Sequence, residues 1–191
     1  MLPATDGDLV YIDHLQKKNA ENLAFYPKAA FEREIKNFRI LLAFMNNEPA
    51  GYLYHGSFDG TCKIHQACIE YDLRGQLYGA ELINQLRRLC EVAGSNSITL
   101  RCGSDIEANG FWQAMGFYCE GVTDGGVRRM RKINAWRFDI TPQLFEPRPV
   151  APSDKKKDAS IWQKRTVSAK NQFIRGAAMA AYRKAVLGDN D

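Results

Sequence analysis

The 191-residue sequence has no apolar run long enough to cross a bilayer, and its N-terminus lacks the charged-then-apolar pattern of a secretory signal. These two absences predict a cytoplasmic protein that does not enter a membrane. No internal repeat is evident. The hydrophobic fraction of 45% is ordinary for a globular chain, and the length suits one compact domain with an appendage.

Paired cysteine spacing of the kind that binds metal ions is also missing. The five cysteines are Cys62, Cys68, Cys90, Cys102 and Cys119. Each falls in a predicted strand or helix, where cysteine behaves as a small buried apolar residue. The sequence therefore predicts reduced core cysteines and no metal site, and leaves open a reactive thiol at Cys68 or Cys102.

Charge is unevenly distributed along the chain. Residues 1–147 contain 16 Lys and Arg against 18 Asp and Glu, a net charge of −2, whereas residues 148–191 contain 10 against 4, a net charge of +6. The basic excess therefore belongs to the C-terminal part, and this asymmetry favours an acidic partner for it.

Composition changes after Thr141. Prolines and a Ser-Asp-Lys-Lys-Lys-Asp run predict an extended linker over 142–158, and the Ala-rich, basic stretch that follows predicts a helical extension over 159–191. Two interpretations of this extension stay open: it docks on an anionic partner, or it is a dimerisation or packing helix with solvated charges. Residues 1–141 form the main domain.

Hydrophobic periodicity predicts alternating strands and helices in the main domain. In chain order, the elements are a short strand at 2–5, helices at 8–23 and 28–37, strands at 39–45, 50–58 and 61–69, a helix from Tyr78, a strand at 97–102, a helix at 105–115, and strands at 117–122 and 127–140. This order predicts an α+β fold, a mixed and mostly antiparallel sheet with helices on both faces.

The segment from Asp72 to Ala80, DLRGQLYGA, joins a buried strand to a helix. A glycine-containing turn that opens a helix leaves backbone N–H groups unpaired at the positive end of the helix dipole, which favours a phosphate or pyrophosphate. The segment resembles the acyl-CoA pyrophosphate loop of the GNAT N-acetyltransferase superfamily. Arg74 and Gly79 match that loop, and Leu77 stands where the family usually has its middle glycine.

A second motif, DIEANGFWQAMGF at 105–117, strengthens this resemblance. It is similar to the Asn-x-x-Ala-x-x-Phe-Tyr-x-x-x-Gly-Phe pattern of GNAT enzymes. Ala108, Phe111, Gly116 and Phe117 match in register, Asp105 replaces the asparagine, and Trp112 replaces the tyrosine. Gly116 is also suited to stop a helix because glycine adopts the left-handed conformation at little cost.

The resemblance covers 2–140 and implies an acyltransferase that uses acetyl-CoA, or another acyl-CoA, on an amine acceptor. It implies that the pantetheine arm pairs with the strand at 64–70, that the Ile69 N–H holds the oxyanion, and that the N–H groups of 76–80 hold the pyrophosphate. The implied cofactor-binding residues are Cys68, Ile69, Arg74, Gly75, Gln76, Leu77, Tyr78, Gly79, Ala80, Asn109 and Trp112.

The acceptor amine must be neutral to attack a thioester, so the implied site needs a base. Glu70 and His65 are the candidates, and simple strand alternation places them on opposite faces, so that at most one faces the acceptor. The family tyrosine that protonates the departing thiolate is Trp112 here, and an indole is no acid at neutral pH. Tyr78 is the replacement that we favour, with Tyr71 and Ser104 as alternatives; protonation by solvent and unaided departure of the thiolate stay open.

The last predicted strand clusters basic residues around a tryptophan. Arg129, Arg131 and Trp136 are predicted to bind a substrate or another anion, because guanidinium groups hold phosphates and an indole stacks on bases. Edge-strand protection against aggregation explains the same charges. The basic strand and extension also resemble phage-type GNAT proteins, a group that includes Mom-type enzymes that modify DNA adenines.

Three hypotheses follow from the sequence. The first is an N-acetyltransferase that acts on an unidentified amine, and the second is a nucleic-acid-directed member of the same fold. The third is a non-catalytic GNAT domain that binds a ligand or partner. A homodimer is compatible with each of them.

Overall fold

The computed structural model describes residues 1–126 and 131–140. The helices are α1 (Leu9–Lys18), α2 (Lys28–Lys36), α3 (Tyr78–Ala93) and α4 (Ala108–Ala114). The strands are β1 (Leu2–Pro3), β2 (Ile40–Met45), β3 (Glu48–His55), β4 (Thr61–Ile69), β5 (Ser97–Gly103), β6 (Tyr118–Asp124) and β7 (Lys132–Asp139). The predicted linker at 142–158 and extension at 159–191 lie outside the described residues, as do 127–130.

The strands form one seven-stranded sheet in the order β1-β2-β3-β4-β5-β7-β6. Neighbouring strands are antiparallel except β4 and β5, which are parallel because α3 connects them as a crossover. The structure confirms the predicted mixed, mostly antiparallel α+β fold. In the described part of the chain, no helix is long and apolar enough to span a membrane.

Each face of the sheet carries its own hydrophobic core. On one face, α3 buries its apolar stripe, including Leu82, Ile83 and Leu86, and Trp112 of α4 joins the same cluster. On the other face, α1 and α2 bury Ile12 and Phe31 among others against β2 and β3. Helices therefore cover both faces, as predicted.

Two helix ends have left-handed residues with different consequences. Gly116, with φ of +79°, ends α4, which confirms the predicted stop. Leu77, with φ of +68°, precedes α3 and takes a conformation that costs an L-residue roughly 1–2 kcal/mol. The position of the missing family glycine is thus one that needs positive φ.

Helix α4 begins at Ala108 and not at the predicted residue 105. The chain first makes a turn in which the Ile106 N–H donates to the Gly103 carbonyl. Strand β7 covers Lys132–Asp139 of the predicted strand at 127–140, whose first four residues lie outside the described part of the chain.

Candidate active site

The parallel strands β4 and β5 separate soon after they pair. Their register includes only Thr61 to Lys63 against Ser97 to Thr99, and β4 then continues to Ile69 without β5 beside it. The Glu70 N–H donates to the Ala50 carbonyl at 2.9 Å, on the β3 side. Because successive backbone N–H groups point to alternate sides of a strand, the Ile69 N–H points into the gap.

A cavity of about 930 Å³ runs through this gap. It is lined on the α3 side by Gly79, Ile83 and Trp112, and on the other side by Asn22 and Ala24 of the loop between α1 and α2. The volume is at the upper end of the roughly 300–1,000 Å³ typical of small-molecule sites. Two ligands can therefore enter from opposite sides of the sheet and meet in the gap.

The loop before α3 provides an anion site at one end of this cavity. The N–H of Glu81 makes the first helical bond, to the Leu77 carbonyl, whereas the N–H groups of residues 76–80 donate to no other described residue. These free donors lie at the positive end of a 16-residue helix. The arrangement suits a pyrophosphate, which accepts several N–H donors.

Arg74 and Gly79 fix the position of this loop. The Arg74 guanidinium donates to Asn19 Oδ1 at 2.9 Å and lies over the Tyr71 ring, so it ties the loop to the end of α1. A Cβ atom on Gly79 would lie 3.3 Å from the Phe111 ring, which shows how closely α3 approaches α4. Glycine at 79 thus allows the two motifs to pack together.

A bulge in β4 controls which side chains face α1 and α2. Tyr54 pairs with Gln66 and His55 pairs with Ile64, so His65 is the extra residue. The His65 ring stacks on Tyr54 with ring centroids 4.6 Å apart, on the α1/α2 face.

Glu70 lies on the same face, because its Oε2 is 3.0 Å from Nζ of Lys18 in α1. The expectation that His65 and Glu70 occupy opposite faces is therefore wrong. Simple alternation does not hold across a bulge, which shifts the two-residue period by one.

The chain matches a known protein family over most of the described domain. The acetyltransferase (GNAT) domain profile matches residues 11–126. The chain belongs to the GNAT acetyltransferase family. GNAT acetyltransferases use acetyl-CoA, which carries the pyrophosphate that the loop before α3 suits. A comparison with curated proteins found no match.

Solved structures share the GNAT fold at low sequence identity. Ard1 from Thermoplasma volcanium is 12% identical with a TM-score of 0.66, and the match covers 73% of this chain and 95% of that one. The ribosomal-protein-S18-alanine N-acetyltransferase from Escherichia coli is 15% identical with a TM-score of 0.62, covering 78% and 97%. An aminoglycoside 6'-N-acetyltransferase complexed with coenzyme A is 14% identical with a TM-score of 0.60, covering 74% and 95%.

The two base candidates of this GNAT domain differ in their surroundings. His65 lines the cavity, and Tyr26 Oη lies 3.4 Å from its Nδ1. Burial lowers the pKa of His65, so the imidazole is neutral at pH 7 and can accept a proton. Glu70 is absent from the described cavity lining and already pairs with Lys18.

Tyr78, Cys68 and Trp112 all line the cavity. Trp112 is 6% exposed and packs edge-on against Phe111 and Phe117, so its indole forms an apolar wall. Burial raises the pKa of the Cys68 thiol to about 11, which keeps the thiol protonated near neutral pH. Of the three acids that the sequence offered, Tyr78 lines the cavity, whereas Tyr71 and Ser104 are not among its described lining residues. The Tyr78 phenol therefore remains the acid candidate.

Asn109 points into the protein and not toward the cofactor cleft. Its Nδ2 donates to the carbonyls of Gly103 and Ile106, both at 2.7 Å, and its Oδ1 accepts from Asn134 Nδ2 and Trp136 Nε1. All the polar atoms of the amide are thus engaged by the protein. The predicted role in orienting the cofactor is corrected to that of an internal brace.

The predicted anion-binding residues of the last strand have different environments. Trp136 is 7% exposed and belongs to the core, so the prediction of a surface stacking platform is corrected. Arg131 lines a second cavity beside the first, whereas Arg129 lies outside the described residues. Among the residues that the structure describes, no three His, Cys, Asp or Glu side chains group closely enough to hold a metal ion.

Sequence reasoning missed a buried polar network that holds the loop between α1 and α2. Gln66 Nε2 donates to Gln16 Oε1 at 3.0 Å and to the Ala24 carbonyl, and its Oε1 accepts from Tyr52 Oη at 2.8 Å. Gln16 in turn holds the backbone of Tyr26: the Tyr26 N–H donates to Gln16 Oε1, and Gln16 Nε2 donates to the Tyr26 carbonyl. The one available signal was Gln66 within a predicted buried strand, because a buried polar side chain needs a hydrogen-bond partner.

Proposed function

We propose that this GNAT domain transfers an acetyl group from acetyl-CoA to an amine by direct attack on the thioester. The observation that carries the proposal is the continuous cavity between β4 and β5, with free N–H donors at one end and His65 on the α1/α2 side. Two of the similar structures are a ribosomal-protein-S18-alanine N-acetyltransferase and an aminoglycoside 6'-N-acetyltransferase, and their acceptors by name support an amine acceptor here.

In this mechanism, acetyl-CoA supplies the acyl group as a thioester. His65 accepts a proton from the ammonium form of the acceptor, which frees the nitrogen lone pair to attack the carbonyl carbon. The Ile69 N–H donates to the carbonyl oxygen as negative charge develops there. The C–S bond breaks and the thiolate takes a proton from the Tyr78 phenol. The second proton lost by the acceptor nitrogen, as the amide forms, returns the phenolate to a phenol.

Calorimetry with acetyl-CoA tests the cofactor site. Gln76→Glu adds a negative charge beside the free N–H groups of the exposed loop, and we expect it to weaken acetyl-CoA binding roughly tenfold through charge repulsion. Gln85→Glu, in the helix that follows this loop, is the matched control and should bind like the wild type. A well-folded wild type that does not bind acetyl-CoA contradicts the proposed function.

Steady-state kinetics test the base. His65→Gln should lower kcat about 100-fold or more, because general base catalysis typically contributes 10²–10⁴-fold. The wild-type rate should fall at acidic pH as the imidazole is protonated, whereas the residual rate of the variant should lose that step. An unchanged pH profile in His65→Gln would assign the base to another group.

A further inference from the structure

A second cavity of about 640 Å³ adjoins the cavity between β4 and β5, which is called the cofactor cavity below. The residues that line both cavities are Asn22, Ala24, Arg101, Gly103 and Ile106. The described residues that line only the second cavity belong to β6, β7 and the turn between them. The two cavities are therefore neighbours, with these five residues at their shared boundary.

Arg101 stands at the junction of the two cavities. Lys63 and Thr99 form the last parallel pair of β4 and β5, so His65 and Arg101 lie two residues beyond it on the diverging strands. At about 3.3 Å per residue, each side chain starts roughly 7 Å beyond the pair. The base and the guanidinium thus occupy corresponding positions on the two sides of the gap.

The guanidinium of the exposed Arg101 has one hydrogen-bond partner and is not neutralised by a described carboxylate. Its Nη2 donates to Thr123 Oγ1 at 2.7 Å, and no described carboxylate lies within ion-pair distance of it. A guanidinium with free donors suits bidentate recognition of a carboxylate or phosphate.

Arg131 supplies a second guanidinium, and two glycines determine where it lies. A Cβ on Gly103 would approach Arg131 Cδ to 2.9 Å, and a Cβ on Gly125 would clash with the Arg131 carbonyl. Arg131 is 21% exposed and lies 3.6 Å from Asp105, a carboxylate that is 58% exposed. This long contact with a solvated partner leaves donors of Arg131 available.

The charges of the cavity favour an anion. Asp124 is the one carboxylate among the described lining residues, against the two guanidinium groups of Arg101 and Arg131. The described lining residues therefore carry two positive charges and one negative charge. A cavity that binds a simple cationic amine would instead favour negative charge. The volume fits a small molecule.

We propose that the acceptor is a small amine that also carries a carboxylate or phosphate, which Arg101 and Arg131 hold while the nitrogen reaches His65. This inference rests on the proposed acetyl transfer and specifies its acceptor class. The reaction itself is unchanged: the N–C bond forms, the C–S bond breaks, and the acceptor proton leaves through His65.

Matched amine pairs test the inference, with coenzyme A release as the assay. The pairs are β-alanine with β-alaninamide, and 2-aminoethyl phosphate with ethanolamine, so that each pair differs in the anionic group. We expect at least a tenfold higher kcat/KM for the anionic member of one pair or both. The pair that responds shows whether carboxylate or phosphate is preferred.

Variants assign the effect to Arg101. Arg101→Gln should raise the KM for the anionic amine about 10- to 100-fold, the expected loss of a charge-assisted hydrogen bond, and Arg101→Lys should recover part of it. Acetyl-CoA affinity should be unchanged in both variants. Arg88→Gln, which removes an exposed charge from α3, is the control and should match the wild type.

Three outcomes overturn the inference. They are equal or better use of the uncharged amines, no turnover of the anionic amines by a protein that binds acetyl-CoA, and loss of acetyl-CoA affinity in Arg101→Gln. Acetyl-CoA binding is measured first. Its absence would refute the proposed function, whereas its presence with any of these outcomes refutes only the acceptor class.

Discussion

Leu77 combines a left-handed backbone with an apolar side chain that is 71% exposed. The left-handed backbone and the exposed apolar side chain are both unfavourable for the stability of the fold, and they occur together at the residue before α3. Glycine would adopt the same backbone without the Cβ penalty, and little buried area would be lost.

We therefore predict that Leu77→Gly raises the free energy of unfolding by about 1 kcal/mol. Urea denaturation followed by circular dichroism measures this change. Leu73→Gly, at a partly buried position in the preceding turn, serves as the control and should destabilise the protein. A destabilised Leu77→Gly variant would mean that the exposed side chain makes contacts that outweigh the backbone strain.

The half-buried His65 makes folding sensitive to acid. Burial, the largest cause, lowers the pKa of His65 below the unfolded value of about 6.5. Between those two pKa values the unfolded chain binds more protons than the folded one, so stability falls as pH decreases. Above the unfolded pKa both states are neutral and the effect vanishes.

Unfolding free energies at pH 7.5 and pH 5.5 check this expectation. The wild type should lose more stability over this interval than His65→Phe, which keeps a ring against Tyr54 but cannot be protonated. His14→Phe, at an exposed position of α1, should behave like the wild type. Equal losses in the wild type and His65→Phe would contradict the prediction.

At the scale of elements, Asn109 connects three pieces of the domain. Its amide joins the end of β5, the turn before α4, and β7 through four hydrogen bonds. The site wall formed by α4 therefore depends on one amide whose donors face two carbonyls. A carboxylate in its place would face those carbonyls with acceptors only.

Asn109→Asp should lower the free energy of unfolding by about 2–3 kcal/mol, because two partly buried carbonyls each lose a side-chain donor, keep one backbone N–H donor, and then face a carboxylate. Asn84→Asp makes the same substitution on the exposed side of α3, and its cost should stay within about 0.5 kcal/mol. Chemical denaturation of both variants gives the comparison. Similar stabilities for the two would show that the brace contributes little.

The order of elements and the turn before α3 were predictable because both depend on local patterns. Turn glycines and helical spacing located α3, and the left-handed Gly116 ended α4 as expected. The bulge at His65 was not predictable, since it depends on the register with β3. The predictions for Trp136 and Asn109 were wrong for a similar reason, because the burial of Trp136 and the hydrogen bonds of Asn109 arise from contacts between distant segments.

Across the whole molecule, the sheet consists of two parts that meet at a short seam. Strands β1 to β4 form one part and β5, β7 and β6 the other, and β4 and β5 share only three residue pairs. The cofactor cavity runs along the open section of this seam. A ligand that binds there contacts both parts, and it should therefore stabilise the folded domain as a unit.

Acetyl-CoA at 100 times its Kd should add about 2.7 kcal/mol of stability by mass action. For a chain of this size, that corresponds to a rise in Tm of roughly 5–10 °C. Hydrogen exchange should slow in the part of β4 beyond Lys63 and in the first turn of α3, where the free N–H groups lie. Gln76→Glu at the same acetyl-CoA concentration should show a smaller shift and less protection. Protection confined to the α1/α2 side would place the cofactor elsewhere and would contradict the direction of binding, since the N–H donors before α3 could then not hold its pyrophosphate.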